Sequence, residues 1–270
     1  MKKRILKISA FCLAVVLIVG VCSFANALVG NPISKMMALN AAEKYLETNY
    51  PNTDYQIQKA SYSFKDGKYY AHAVSLSSVD GNFTIKISML GKILGDDYDH
   101  RVAGHGNVAN RLFLSYRDMV DEVINSRTYP YTVSIGFGDL EFDREVGADV
   151  INGAVSRSDL VNDEIYNVGA LGAKNGKLVL YIDSDVLTHE KAAEILLKTK
   201  KLMDRSGVSF YSVHLVLRYP PYDENVSYQR PEGEINIKDF PYSDIYEEGI
   251  IERIEKCAAA TQDRYNETEK

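Results

Sequence analysis

Three aspartates and two histidines crowd one short polar segment of this 270-residue sequence: Asp96, Asp97, Asp99, His100 and His105. Carboxylate oxygens gathered in a loop are the ligands that a hard cation such as calcium prefers. The spacing departs from the EF-hand pattern, which requires glycine at its sixth position and glutamate at its twelfth, and histidine is a poor calcium ligand. The three aspartates are therefore candidates for a metal site, and a solvated acidic loop is the alternative.

His189–Glu190 is a second candidate for metal binding. In zinc proteases two histidines four residues apart on a helix hold the metal, and a glutamate follows the first. Here the second ligand position is Ala193, so the motif is broken, although Glu194 offers a neighbouring carboxylate. Since Thr188 is a favourable helix N-cap, we interpret the pair as the first turn of a helix.

No motif in the sequence specifies a phosphate loop or a serine hydrolase. The glycine pairs at 136–138 and 169–172 lack the further glycine or lysine that such loops need, and they predict bends. No serine lies in a Gly-x-Ser-x-Gly elbow. We therefore assign no catalytic residue and no cofactor. Because catalytic groups can assemble from distant positions, a dispersed active site is the alternative, and residues 96–105 and 183–189 are the nearest candidates for it.

Tyrosine is the compositional excess of the chain, which has 19 tyrosines and no tryptophan. One tyrosine- and proline-rich stretch predicts a possible partner surface: Tyr219, Pro220, Pro221, Tyr222 and Tyr228. Aromatic side chains on extended backbone are frequent in protein interfaces. Tyrosine is also a good strand residue whose hydroxyl reaches water from a half-buried position, so both interpretations stand for this stretch.

Charge and hydropathy predict the location of the chain. A net charge of −6 argues against a nucleic-acid partner, which would need a basic surface. Basic residues cluster instead before an apolar run over residues 8–29: Lys2, Lys3, Arg4 and Lys7. That order is typical of export, with the amino terminus held inside the cell.

The apolar run supports two interpretations. At about 1.5 Å per residue, residues 8–29 are long enough to cross a hydrocarbon core about 30 Å thick. Residues 10–22 also have the length of a signal-peptide core, and Ala25-Asn26-Ala27 resembles a cleavage site. We predict a single-pass anchor at 1–29 with the C-terminal body outside the cell membrane; secretion after cleavage near Ala27 is the alternative.

Residues 30–129 predict a first α+β module. Asn31-Pro32 is typical of a helix start, and Pro51 ends the helix. Its apolar face is predicted from five positions: Ile33, Met37, Ala41, Tyr45 and Leu46. A three-stranded meander follows, with Asp66-Gly67 and Asp80-Gly81 as tight turns. A helix over residues 108–123 then completes the module, and Tyr129-Pro130 marks its boundary.

Residues 130–270 predict a second α+β module. Strands are expected at 132–142, 177–182, 208–217 and 235–237. A long amphipathic helix is expected between the second and third of these strands, and another helix near the carboxyl terminus. The predicted fold class is therefore α+β throughout, behind an N-terminal membrane or signal helix.

Four stretches carry a resemblance to a known family: Leu28-Val29-Gly30-Asn31-Pro32-Ile33-Ser34-Lys35, Ala42-Glu43-Lys44-Tyr45-Leu46, Tyr50-Pro51 and Tyr62-Ser63-Phe64-Lys65-Asp66-Gly67-Lys68-Tyr69-Tyr70. Together they resemble the YfjL-like family of uncharacterised envelope proteins from Gram-positive bacteria, most clearly over residues 28–95. The resemblance implies an extracytoplasmic location and a two-part α+β architecture, and it brings no catalytic residues. The first module is also similar in layout to PepSY-type and cystatin-like modules, which is a likeness of fold alone.

These observations favour a non-enzymatic binding or regulatory module of the bacterial cell envelope. Its expected partners are an envelope protein, a peptide or a wall component, together with the cytoplasmic membrane that receives the N-terminal segment. An envelope hydrolase with a dispersed active site is the alternative. A binding module should present an open groove or sheet surface, whereas a hydrolase should present a closed pocket with convergent acids.

Overall fold

The computed structural model describes residues 2–142, 153–220 and 233–268, which form two compact units, Met1–Asn107 and Val108–Lys270. The helices of this described part are α1 (Lys2–Val29), α2 (Pro32–Asn49), α3 (Gly106–Ile124), α4 (Val168–Asn175), α5 (His189–Arg205) and α6 (Ile250–Thr268). Its strands are β1 (Gln56–Ser63), β2 (Lys68–Val74), β3 (Asn82–Ile87), β4 (Ile93–Asp96), β5 (Thr132–Leu140), β6 (Gly176–Asp183), β7 (Ser212–Arg218) and β8 (Glu234–Pro241). The predicted α+β class is confirmed.

The export segment folds as the continuous helix α1. By length and composition it could cross a membrane, and none of its apolar window is buried inside the protein. A helix that is apolar all round and exposed all round needs an apolar environment other than the protein core. α1 is thus suited to serve as a membrane anchor or as a signal sequence.

Helix α2 begins where the sequence predicts, but part of the predicted buried face is wrong. The Asn31 side chain caps it by accepting a hydrogen bond of 2.7 Å from the Ser34 N–H, and Pro32 is the first helical residue. Leu46 is buried as expected, and the predicted Ala41 and Tyr45 pack partly buried against the same core. The other buried residues of the helix, Ser34, Ala38 and Ala42, were not predicted. Ile33 and Met37 are exposed. The small side chains of α2 share this core with large side chains of the sheet, among them Tyr69 and Phe83.

The first sheet has the order β1-β2-β3-β4, and every neighbouring pair is antiparallel. The predicted meander thus gains β4. Gly67 takes a positive φ of 65°, as a tight turn at 66–67 requires. The second predicted tight turn is wrong, because β2 and β3 are joined by a longer loop at 75–81. Asp54 holds that loop by accepting hydrogen bonds from the Ser75 hydroxyl and the Ser77 N–H, both at 2.7 Å.

The second sheet has the order β5-β6-β7-β8. β6 and β7 are parallel, and the other two pairs are antiparallel. A parallel pair needs a crossover connection, which the predicted long helix α5 supplies. Alternate residues of β6 enter the core: Leu178, Leu180 and Ile182 are buried together with residues of α3, α5 and α6.

Helix α3 forms where it was predicted, but it belongs to the core of the second unit. Val108, Leu112, Tyr116 and Val120 pack in that core, and the Tyr116 hydroxyl donates a 2.7 Å hydrogen bond to the Ser209 carbonyl. The two compact units therefore divide between Asn107 and Val108, in the first turn of α3, whereas the sequence predicted a boundary at Pro130. Periodicity identifies an apolar helix face without identifying the sheet that it covers.

The glycine pairs predicted as bends lie in regular elements. Gly136 and Gly138 are within β5, and Gly169 and Gly172 are within α4. A Cβ at Gly138 would lie 2.6 Å from the Val120 side chain, so this glycine lets β5 approach α3 closely. Close approach of neighbouring elements, not a reversal of the chain, explains these glycines.

Replacement of Ala42 by leucine tests the close contact between α2 and the first sheet. Because Ala42 is fully buried, Ala42→Leu should lower the free energy of unfolding by about 1–3 kcal/mol through overpacking. Asn40→Leu, at an exposed position of the same helix, is the matched control and should change stability little. Urea unfolding followed by circular dichroism measures both. Equal effects of the two substitutions would contradict the described packing.

Candidate functional site

The Asp96 carboxylate, a predicted metal candidate, is occupied by protein donors. Its Oδ2 accepts hydrogen bonds from the hydroxyls of Tyr45 at 2.6 Å and Tyr50 at 3.0 Å. Its Oδ1 accepts a 3.0 Å hydrogen bond from the Tyr98 N–H. Asp96 is the last residue of β4, so these bonds tie the C-terminal end of α2 to the edge of the first sheet.

Asp97 is engaged in the same way, whereas Asp99 is exposed. Asp97 Oδ1 accepts a 2.5 Å hydrogen bond from the Thr84 N–H, and its Oδ2 accepts one of 2.6 Å from Arg101 Nε. Across the ranges that the structure describes, no group of three or more His, Cys, Asp or Glu residues is arranged to hold a metal ion. The geometry gives Asp96 and Asp97 structural roles, and the metal site stays a prediction.

The tyrosines that bind Asp96 titrate at unusually high pH. The hydrogen bond to the Asp96 carboxylate, followed by burial, raises the pKa of Tyr45 to about 12. Burial and then the same carboxylate raise the pKa of Tyr50 as well. Since each phenol must stay protonated to donate, the stability that this contact contributes is fully present below the ordinary tyrosine pKa of about 10 and is lost as the pH rises through the raised pKa of the folded protein.

His189–Glu190 forms the first turn of α5, as interpreted from the broken zinc motif. The Thr188 hydroxyl caps the helix by accepting a 3.2 Å hydrogen bond from the Lys191 N–H. His189 Nδ1 lies 3.5 Å from a carboxylate oxygen of Glu255, on α6. The position where a second ligand would stand, Ala193, is buried in the core.

The predicted partner surface is described only in part. Tyr219 is half-buried and Pro220 is exposed, directly after the end of β7. Pro221, Tyr222 and Tyr228 lie outside the described residues. The partner surface therefore stays a prediction, and its described portion adjoins the site defined next.

The face of the second sheet that points away from the core is the candidate functional site. On this face Lys177, Tyr181 and Asp183 of β6, His214 and Arg218 of β7 and Asn236 of β8 are partly exposed, whereas Ser212 and Val216 of β7 are buried. We call the following residues the polar face: Lys177, Tyr181, Asp183, His214, Arg218 and Asn236. Cross-strand register places them side by side: Tyr181 is the partner of Val216, and Val216 is the partner of Asn236.

An ion pair closes one end of the polar face. Arg218 Nε donates to Asp183 Oδ1 at 3.2 Å, and the Ser134 hydroxyl donates to the same oxygen at 3.1 Å. The Asp183 side chain is 7% exposed and that of Arg218 is 36% exposed. A carboxylate this buried needs a paired cation, so Arg218 compensates Asp183 and presents its remaining surface to solvent.

His214 occupies the centre of the polar face. Its Nε2 lies 3.0 Å from Asn236 Oδ1, while Asn236 Nδ2 donates to Glu234 Oε1 at 3.3 Å. Because the amide nitrogen is committed to Glu234, Nε2 of His214 must carry the proton and donate. Burial lowers the pKa of His214, which keeps the imidazole neutral at neutral pH.

Tyr181 bridges these two groups. The Arg218 guanidinium lies 5.5 Å from the centre of the Tyr181 ring, and the His214 ring lies 6.1 Å from it on the other side. Arginine, tyrosine and histidine therefore form a row of planar groups across β6 and β7. The sequence analysis missed this row. The period-two alternation of apolar and polar residues over 176–183 is the signal that could have located it.

Two family models match the chain. Residues 3–97 match the YfjL-like N-terminal domain, and residues 115–255 match the YfjL-like C-terminal domain. The chain belongs to the YfjL-like family. No curated protein and no solved structure matches it. The two YfjL-like domains fall on either side of the division between Asn107 and Val108, and the polar face lies within the C-terminal one. The likeness to PepSY-type and cystatin-like modules stays a prediction.

Substitution of Asp96 distinguishes a structural carboxylate from a metal ligand. Asp96→Ala leaves two tyrosine hydroxyls without their acceptor and should cost about 1–3 kcal/mol of stability. Asp99→Ala, at an exposed position of the same segment, should cost little. Thermal unfolding of the parent chain should not respond to calcium or to a chelator. A calcium-induced rise in melting temperature that Asp96→Ala abolishes would establish the metal site instead.

The pKa of His214 gives a pH dependence with a defined sign. Its imidazole resonance in NMR should titrate below the ordinary pKa of about 6.5, so His214 stabilises the fold at higher pH and this contribution is lost as the pH falls. The Asn236 hydrogen bond raises the pKa, so Asn236→Leu should lower it further. Titration at or above the ordinary value would contradict the described environment of the ring.

Proposed function

We propose that the protein is a membrane-anchored module of the Gram-positive cell envelope that binds an envelope protein, a peptide or a wall component without catalysing a reaction on it. The observation that carries this proposal is the polar face, a partly exposed sheet surface on the side opposite the core. The body lies outside the cytoplasmic membrane, and α1 is its anchor.

The order of charge and hydropathy supports this topology. Arg4 and Lys7 are exposed before the apolar part of α1, and the first turn of the helix carries no acidic residue. Positive charge before an apolar span retains that end in the cytoplasm, so the residues after Val29 emerge outside.

The composition of the open sheet surface suits a partner larger than a small metabolite. Beside the polar face, β5 contributes Ile135 and Phe137, whose cross-strand partners are Tyr181 and Val179. Partners in antiparallel register project to the same side, so an apolar strip runs along the charged and aromatic row. A mixture of apolar area, arginine and tyrosine is typical of protein interfaces.

The same geometry argues against the hydrolase alternative. Asp183, the nearest candidate for a general acid, is buried against Arg218 and accepts a hydrogen bond from the Ser134 hydroxyl.

A concavity of the first unit gives no better candidate for an active site. It has a volume of about 560 Å³, lies between α2 and the start of β1, and is lined by Glu43, Glu47 and other residues. It is an open groove, which is better suited to contact than to the exclusion of water.

Site-specific photo-crosslinking in intact cells tests the proposal. A photoreactive amino acid in place of Tyr181 should give a discrete adduct in the membrane fraction, since this partly exposed side chain lies between Arg218 and His214 on the polar face. The same photoreactive amino acid in place of Lys198 is the matched control, because Lys198 is exposed on helix α5 and not on the sheet. Protease sensitivity of the adduct indicates a protein or peptide partner, whereas shortening by a muramidase indicates wall polymer.

Adducts of equal yield from both positions, or none from Tyr181, would refute binding at the polar face. Cleavage of the bound partner would refute the non-enzymatic assignment. If the parent chain cleaves the crosslinked wall fragment or peptide and the Asp183→Asn variant does not, the hydrolase alternative is established.

A further inference from the structure

The carboxyl end of α1 is attached to one end of the first unit. The Tyr62 hydroxyl donates a 3.0 Å hydrogen bond to the Ala27 carbonyl, and the Asn31 N–H donates one of 3.0 Å to the Tyr69 hydroxyl. Gly30, with φ of 73°, makes the turn between α1 and α2, and a Cβ there would lie 2.6 Å from the Tyr69 hydroxyl oxygen. The chain therefore passes from α1 into the body without a flexible spacer.

Register identifies what else lies at this end. Ser63 pairs with Lys68 beside the β1–β2 turn, Ile87 pairs with Ile93 beside the β3–β4 turn, and Tyr69 pairs with Ile87. Both turns and the first residues of α2 thus share the end at which α1 leaves. We call this set, residues 30–37, 62–69 and 87–93, the α1-proximal end.

Large apolar side chains project into solvent from the α1-proximal end. Phe64 is 62% exposed on the β1–β2 turn, Leu90 is 81% exposed on the β3–β4 turn and Ile33 is 69% exposed on α2. Met36, one residue from the exposed Met37, adds to them. Exposed apolar residues on three separate elements at one end form a surface suited to an apolar environment.

The charge of the α1-proximal end is positive, in contrast to the chain as a whole. Lysines accompany the apolar side chains on each element: Lys35, Lys65, Lys68 and Lys92. Its acidic residue Asp66 is neutralised by Lys68 at 3.6 Å and by Lys86 at 3.7 Å. The hydrogen bond from the Tyr70 hydroxyl, more than these lysines, lowers the pKa of Asp66 to about 2.

The opposite end of the first unit also exposes apolar residues, but with the opposite charge. Leu76 and Val79 are exposed on the loop between β2 and β3. Carboxylates accompany them at that end and along the adjoining edge: Glu47, Asp54, Asp96, Asp97 and Asp99, of which Asp97 is paired with Arg101. Exposure alone does not distinguish the two ends, whereas charge does, because only one of them is attractive to an anionic surface.

We propose that the α1-proximal end rests on the anionic phospholipid surface, with Phe64, Leu90 and Ile33 in the interfacial layer and the four lysines against lipid phosphates. Lysine beside aromatic and aliphatic side chains is the composition of interfacial membrane-binding surfaces. The acidic opposite end then points away from the membrane. The inference rests on the proposed anchoring by α1, which delivers this end to the bilayer.

Depth-dependent fluorescence quenching of the full-length chain in phosphatidylglycerol vesicles tests this surface. With the three native cysteines replaced, a single cysteine at Phe64 or Leu90 carries an environment-sensitive dye. Both positions should be quenched by lipids with a nitroxide near the headgroup, severalfold more than the matched control Val79→Cys. Equal quenching at all three positions would overturn the proposal.

Two further measurements test separately the role of the lysine charges and the anchoring by α1. The double substitution Lys65→Glu with Lys92→Glu should reduce quenching of the dye at Phe64 severalfold. The control substitution Lys44→Glu, at an exposed position farther along α2, should not reduce it. Equal quenching in the double variant and in the control would refute the role of charge. A dye at Val15, within α1, reports anchoring independently through nitroxides deep in the bilayer. If the dye at Val15 is not quenched, α1 is not a membrane anchor. In that case, quenching of the dye at Phe64 after vesicles are added still decides whether the α1-proximal end binds lipid.

Discussion

In the second unit, one alternation of side chains along β6 fixes both the core and the candidate binding surface. Leu178, Leu180 and Ile182 are buried under the helices, so Tyr181 and Asp183, which alternate with them, must face the other way. A strand in register cannot change one face without changing the other, since a slip by one residue exchanges them. The polar face is therefore as strictly positioned as the core, and its ion pair and hydrogen bonds are the means by which half-buried polar groups there are satisfied.

In the first unit, the inward face of α2 is built mainly from small residues. Ala38 and Ala42 share a buried cluster with Ala71 and Ala73 of β2 and with larger side chains of the sheet, among them Tyr69 and Phe83. Ile33, Met36 and Met37 of the same helix are exposed, outside this cluster. Their exposure makes apolar side chains of α2 available for the lipid contact proposed for the α1-proximal end.

The sequence predicted the elements that depend on local chemistry. Asn31-Pro32 gives the start of α2, and Thr188 gives the start of α5, because a cap is a contact within one turn. It failed where the outcome depends on a distant layer. The inward face of α2, the unit to which α3 belongs and the glycines of β5 are all decided by what lies opposite them. The carboxylate of Asp96 is the same case, since its partners Tyr45 and Tyr50 are far away in sequence.

The two candidate surfaces differ in charge and in shape, and the partners proposed for them differ accordingly. On the polar face the cations are already matched, Arg218 by Asp183 and Lys177 by Asp239, and His214 is kept neutral by burial. An anionic membrane would gain little there, because its attraction depends on uncompensated positive charge. At the α1-proximal end the lysines outnumber the carboxylates, but the apolar side chains stand apart on separate turns, without the continuous sheet surface that a folded partner would cover. Lipid suits the first unit, and a polymer or protein with its own hydrogen-bonding groups suits the second.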